Sequence, residues 1–165
     1  MSDPTPFVVS RTVRATRTRV WAAWTEAHRL EKWWGPKGMP LGVLALDVRP
    51  GGLFHYSMKL PNGDMWYGRF DYEAVEAPGR LVYLSGFADA AGERCRPPFA
   101  DTFPLLVRNE LQFEDLGGET RLTLRAVPVD GDAAAIATFT GMFASMQQGF
   151  GSTFDVLEEY LGGGD

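Results

Sequence analysis

The clearest signal in this chain is a period of two. Residues 53–60, "LFHYSMKL", put Phe54, Tyr56, Met58 and Leu60 on one face and His55, Ser57 and Lys59 on the other. Residues 65–75, "MWYGRFDYEAV", put Trp66, Gly68, Phe70 and Tyr72 on one face and Tyr67, Arg69, Asp71 and Glu73 on the other. Pro61-Asn62-Gly63-Asp64 between them is a hairpin turn. The spacing predicts further strands at 7–14, 41–49, 80–87, 107–116 and 119–127, with Pro50-Gly51-Gly52, Pro78-Gly79 and Gly117-Gly118 as turns. In the strand at 107, Val107, Asn109, Leu111 and Phe113 share a side.

Elsewhere the period is helical. Thr18 can cap a short helix, "RVWAAWTEA", with Val20, Trp21 and Trp24 on one face. A second short helix, "HRLEKWW", carries Leu30, Trp33 and Trp34 and is stopped by Gly35-Pro36. From Ala133 to Leu161 the apolar residues fall at 136, 139, 143, 146, 150, 154, 157 and 161, which predicts one long helix capped by Asp130 or Asp132. Gly141, Gly149 and Gly151 lie inside it, each at a cost of about 1 kcal/mol against Ala. That cost points to a bend, or to room needed beside the helix. Residues 88–105 have three prolines and no period, and are expected to form a long loop acting as a lid. Strands in a run with helices segregated argue an α+β domain. The expectation is one domain over 1–165, its core at about 7–161, with a curved antiparallel sheet around the C-terminal helix.

The segments "VWAAWTEAHRLEKWWGPKG", "DVRPGGLFHYSM", "PGRLVYLSGFAD" and "MQQGFGSTFDVLEEYL" resemble the START-like (SRPBCC) superfamily. Within it they most resemble the family named for the activator of the heat-shock protein 90 ATPase, from about Phe7 to Leu161. The paired Trp before Gly-Pro and the Pro-Gly-Gly turn before an aromatic strand carry the resemblance together. The resemblance implies the helix-grip (START-like, Bet v-like) fold, with a deep apolar cavity between sheet and helix. Superfamily members bind lipids, hormones and polyketides; a few are cyclases or dehydratases, and some bind chaperones. Relatives usually have Gly-Trp in the last helix where this chain has Gly149-Phe150, which keeps the ring and removes the indole N–H.

Charge narrows the partners. The net charge is −5, and no Lys/Arg cluster is present to hold nucleic acid or an anionic membrane. No apolar run approaches the roughly 20 residues of a membrane span. The N-terminal residues lack the pattern of a secretory signal. A single cysteine, Cys95, allows no internal disulfide and suits a cytoplasmic location.

The residues offer little reactive chemistry. His28, His55 and Cys95 lack metal-ligand spacing, so neither a metal nor a cofactor is expected. Ser152 falls inside a helix and not on a nucleophile elbow. Arg94 and Arg96 flank Cys95 and would favour its thiolate, although a spare thiol is the plainer reading. Asp71, Glu73 and Glu110 belong to a solvated outer face, so no catalytic residue is assigned.

Aromatic residues are 13% of the chain, an excess that suits a core or cavity built from rings. The reading is a protein that binds a small apolar molecule. Met58, Trp66, Phe70, Leu111, Met142, Met146 and Phe150 are the expected walls. Tyr56, Tyr83, Ser85 and Asn109 are the expected polar handles. Trp33, Trp34, Gly35 and Pro36 form a structural motif, one ring packing inward and the other covering an edge or lining the entrance. The alternatives are a cyclase or dehydratase acting on an apolar, polyketide-like substrate, and an interaction module with Tyr67 as its exposed contact. A homodimer is left open and a chaperone partner is not expected.

Overall fold

The computed structural model describes residues 6–34, 41–96, 102–129 and 131–162. The elements are β1 (Phe7–Val13), α1 (Arg17–Thr25), α2 (Ala27–Trp33), β2 (Leu41–Leu46), β3 (Leu53–Lys59), β4 (Met65–Glu76), β5 (Arg80–Ala88), β6 (Arg94–Cys95), β7 (Val107–Asp115), β8 (Thr120–Pro128), α3 (Ala133–Gly141) and α4 (Phe143–Gly162). Gly35, Pro36 and Asp130 lie outside the described residues.

All strands pair antiparallel in one sheet of order β1-β8-β7-β5-β4-β3-β2, with β6 added to β5. The fold is the helix grip. The alternation is strict along β7 as far as Phe113 and along all of β8: every second residue is buried, and Leu111, Leu122 and Leu124 are fully so. Strand pairing carries this inner face across the sheet, because directly opposed residues share a side. One row runs Tyr56, Gly68, Phe87; the next runs Phe54, Phe70, Ser85, Val107.

Four details differ from the sequence-based expectation. The loop at 88–105 contains β6, which pairs Cys95 with Phe87 and Arg94 with Ala88. Two-residue strands carry no periodic signal. The first helix starts at Arg17 with Thr16 as its N-cap, not Thr18, and Thr16 makes no side-chain cap bond. Trp21 is only half-buried there; Val20, Ala23 and Trp24 take the inner face. The C-terminal helix breaks after Gly141: the Met142 N–H bonds the Phe139 carbonyl, a tight turn that ends α3 before α4 resumes.

Asp132 caps α3, its carboxylate accepting from the Ala135 N–H at 2.8 Å. Gly149 and Gly151 have a different standing from Gly141. A Cβ built on either meets no atom within 4 Å beyond its own helix, and neither sits at a break. Gly151→Ala is therefore expected to stabilise the protein by about 0.5–1 kcal/mol, seen as a rise of about 1–4 °C in melting temperature. A fall would mean that the backbone needs glycine there for another reason.

Burial along α4 is uneven, and this positions the site. Thr153, Phe154, Leu157 and Leu161 are buried, whereas no residue from Phe143 to Ser152 is. The C-terminal half carries the buried residues; the N-terminal half is at most half-buried, and meets the edge of the sheet through Phe143 and Phe150, whose rings pack on Phe7 of β1.

Candidate functional site: an aromatic cavity between sheet and helix

Between the sheet and the half-buried part of α4 is a cavity of about 210 Å³. Trp34, Phe70, Tyr83, Phe103, Phe139 and Phe150 supply much of its wall. A second space of about 180 Å³ adjoins it, sharing Trp34, Tyr56, Met58, Met146 and Phe150. Were the first space sealed and dry, it would cost about 5 kcal/mol at roughly 24 cal/mol per Å³. That is comparable with the whole stability of many domains.

Of the residues expected to line a cavity, the structure brings together Tyr56, Met58, Phe70, Tyr83, Ser85, Asn109, Met146 and Phe150. Three others do not line it. Leu111 shares the inner face but is 0% exposed, paired with Leu81 and Leu124 in the solid core. Trp66 lies opposite Met58, yet at the start of β4 it packs on Phe87 and lines a separate pocket with Met65 and Cys95. Met142 is the residue of the helix break, where the helical period that placed it inward is interrupted. Val107, Ala126, Phe87, Phe139, Trp34 and Phe103 were not assigned to the wall. Parity with Asn109 marks Val107, and parity with Ser85 marks Phe87. Phe103 comes from an aperiodic segment and had no such signal.

The two adjacent tryptophans divide the work. Trp33 is 1% exposed, edge-on to Trp24 at 4.7 Å, and its Nε1–H donates to the Ala23 carbonyl at 2.8 Å. Trp34, one residue past the end of α2, turns its ring at 90° to Trp33 and edge-on to Phe70 at 5.5 Å, where it lines the cavity. Its Nε1 is buried and makes no bond of full hydrogen-bond geometry. The Tyr56 hydroxyl still senses that indole, as a minor influence on its acidity.

Gly68 makes room for a ring. It pairs directly with Tyr56, and a Cβ built on it would come within 2.3 Å of the end of the Tyr56 ring. The ring of Tyr56 thus covers the glycine on the inner face.

The polar groups cluster on β5 and β7. Asn109 is 4% exposed. Its Nδ2 donates to Ser85 Oγ at 2.7 Å and to the Val107 carbonyl at 3.0 Å, with the Tyr83 carbonyl at 3.5 Å. Tyr83 stacks on Phe70 with centroids 4.1 Å apart. Burial pushes the Tyr56 phenol up to about 12. Burial raises Tyr72 and Tyr83 further, with Tyr72 and Tyr56 adding to the effect on Tyr83. All three are neutral hydrogen-bond donors at physiological pH.

The sign of the pH dependence follows. Unfolded tyrosine ionises near pH 10, so above that pH the unfolded chain sheds protons that the native one keeps. The stability contributed by these three residues is complete below about pH 10 and is lost as pH rises through 12. The melting temperature is expected to fall steeply over that range, and less steeply in Tyr83→Phe. An identical slope in the variant would contradict the burial of Tyr83.

The outer face holds ion pairs. Glu73 pairs with Arg108 and Glu110 with Arg80. Asp71 lies between Arg69 and Arg94; burial alone would raise its pKa, but the two guanidiniums outweigh that and hold it low. His55, on this face, is 8% exposed beneath the turn at 89–92, its Nε2 at 3.1 Å from the Asp89 carbonyl. Tyr67 lies beside it, half-buried, so it is not the exposed contact expected of it. Cys95 is half-buried, and the arginines beside it are bonded elsewhere, Arg94 to Asp71 and the Leu84 carbonyl and Arg96 to the Phe103 carbonyl. Among the described residues no group of three His, Cys, Asp or Glu side chains is placed to hold a metal ion. No helix among them is long and apolar enough to cross a membrane.

Comparison with known proteins agrees with this architecture. The model of the family described as Activator of Hsp90 ATPase homolog 1-like protein matches residues 14–162. No curated protein matches the chain. Among solved structures, protein Ms6760 from Mycobacterium smegmatis is 29% identical, with a TM-score of 0.76 over 94% of this chain and 90% of that one. A protein from Arthrobacter aurescens is 26% identical, with a TM-score of 0.80 over 95% of this chain and 86% of that one. DynU16, encoded in the dynemicin biosynthetic locus, shares the fold at 19% identity and a TM-score of 0.67; this chain is covered in full and spans 49% of that one.

Proposed function

This chain belongs to the family of Activator of Hsp90 ATPase homolog 1-like proteins, and we propose that it binds one small, largely apolar molecule in the cavity beneath α4. The observation that carries the reading is a space of about 210 Å³ walled by rings, bordered by Met146 and Phe150 from the half-buried part of α4. Core side chains that had only to pack would close such a space, because an empty one is costly. Met58 and Met146 give the wall some adaptability. Trp34 and Phe103 flank the cavity from the two segments outside the grip itself, one after α2 and one before β7. Thr102 Oγ1 lies 2.7 Å from Thr138 Oγ1, so the Phe103 segment is tied to α3. This segment is the lid of the reading.

The test is a thermal-shift screen of the full chain against neutral apolar compounds of one to three rings. A compound at a hundred times its dissociation constant stabilises the native state by about 2.7 kcal/mol, a shift of roughly 5–10 °C for a chain of this length. Such a shift from a narrow set of compounds supports the reading. A flat response across the panel overturns it.

A further inference from the structure

We infer that the cavity selects a neutral ligand bearing a carbonyl oxygen, and rejects carboxylates such as fatty acids. The inference rests on the cavity being the binding site and adds the chemical class of its ligand.

The orientation of Asn109 decides the polarity of the site. One end of its amide lies 3.0 Å from the Val107 carbonyl and 3.5 Å from that of Tyr83. Carbonyl oxygens only accept, so that end is the NH₂ group. The same NH₂ then donates to Ser85 Oγ at 2.7 Å. Ser85 is thereby made an acceptor toward Asn109, and its own proton is left to donate elsewhere. Ser85 lines the cavity and has no second partner among the described residues. Tyr56 and Tyr83 also line it, and neither hydroxyl donates a hydrogen bond among the described residues. Three residues with a hydroxyl to donate thus line a largely apolar space. Their natural complement is an oxygen that accepts.

Charge sets the second half of the inference. Among the described lining residues of both spaces there is no Lys, Arg or His to meet an anion, and no Asp or Glu to meet a cation. Burying an ion there without a counter-charge carries a large desolvation cost. A carbonyl loses little on entry and gains the donors waiting for it. Size follows from volume. An engineered apolar cavity of roughly 150 Å³ in another protein admits benzene, so about 210 Å³ suits a substituted ring or two fused rings.

Three compounds of matched shape test this in calorimetric titrations at pH 7: 2-acetylnaphthalene, 2-ethylnaphthalene and 2-naphthoate. The ketone is expected to bind about tenfold tighter than the hydrocarbon, and the carboxylate at least about a hundredfold weaker than the ketone. Ser85→Ala, small and partly buried, is expected to bring the ketone down to the level of the hydrocarbon. Asn109→Leu is expected to do the same if it folds. Equal binding of ketone and hydrocarbon would overturn the inference and leave the cavity reading standing. So would naphthoate binding as tightly as the ketone. Failure of all three to bind overturns the cavity reading along with it.

Discussion

Trp33→Ala is expected to lower the stability by about 3–5 kcal/mol, which is roughly 6–20 °C in melting temperature for a chain of this length. The ring is 1% exposed and packs edge-on against Trp24 and Trp34 at 4.7 and 5.6 Å. Its indole N–H bonds the Ala23 carbonyl, so it also holds α2 to α1. Removing it opens a cavity between Trp24, held in α1, and Trp34, just past the end of α2. Relaxation can recover only part of that loss. Trp34→Ala is expected to cost far less stability, because its ring already borders an open space. Equal losses in urea unfolding of the two variants would contradict this division between core and cavity wall.

Ala126→Phe is expected to abolish ligand binding while the protein stays folded. Ala126 is 1% exposed, paired with Asn109 and with Phe7, and lines the cavity from near the end of β8. A ring added there has no route to solvent and must enter the space. Overpacking costs about 1–3 kcal/mol, and filling an apolar void returns part of it. The melting temperature should therefore move by a few degrees, against a loss of affinity of at least about a hundredfold for a ligand denied its site. Retained affinity in a folded Ala126→Phe protein would place the ligand elsewhere.

Much of this architecture can be read from the chain, for physical reasons. A strand half-buried against a helix must alternate, and β4, β7 and β8 do; in β3 the residue types alternate, but His55 and Ser57 on the outer face are buried as well. That parity is enough to give Tyr56, Phe70 and Asn109 their sides of their own strands; β5 is apolar on both faces, so the side of Tyr83 is fixed only by its pairing with Asn109. It cannot separate the part of the face that packs from the part that borders a cavity. Leu111 and Asn109 are two residues apart on the same side of β7, yet only Asn109 lines the space. What separates them is how the helices pack over each, a tertiary fact. Met142 is misplaced by periodicity because the helix breaks beside it. Phe103 and β6 belong to a segment whose geometry is set by contacts distant in sequence, Thr102 with Thr138 and Cys95 with Phe87. The outer-face parity of His55 is legible too, but its burial is not, since the turn at 89–92 covers it.

A small molecule bound between the sheet and the half-buried part of α4 would touch Met58 and Met146. Methyl NMR of the methionines tests this most directly. Met58 and Met146 line the cavity, whereas Met65 is 42% exposed at the start of β4 and serves as the surface reference. Titration with the tightest compound of the thermal-shift screen should shift the Met58 and Met146 methyl resonances, saturating together, and leave Met65 in place. Saturated binding that moves Met65 and leaves Met58 and Met146 unmoved would contradict the account.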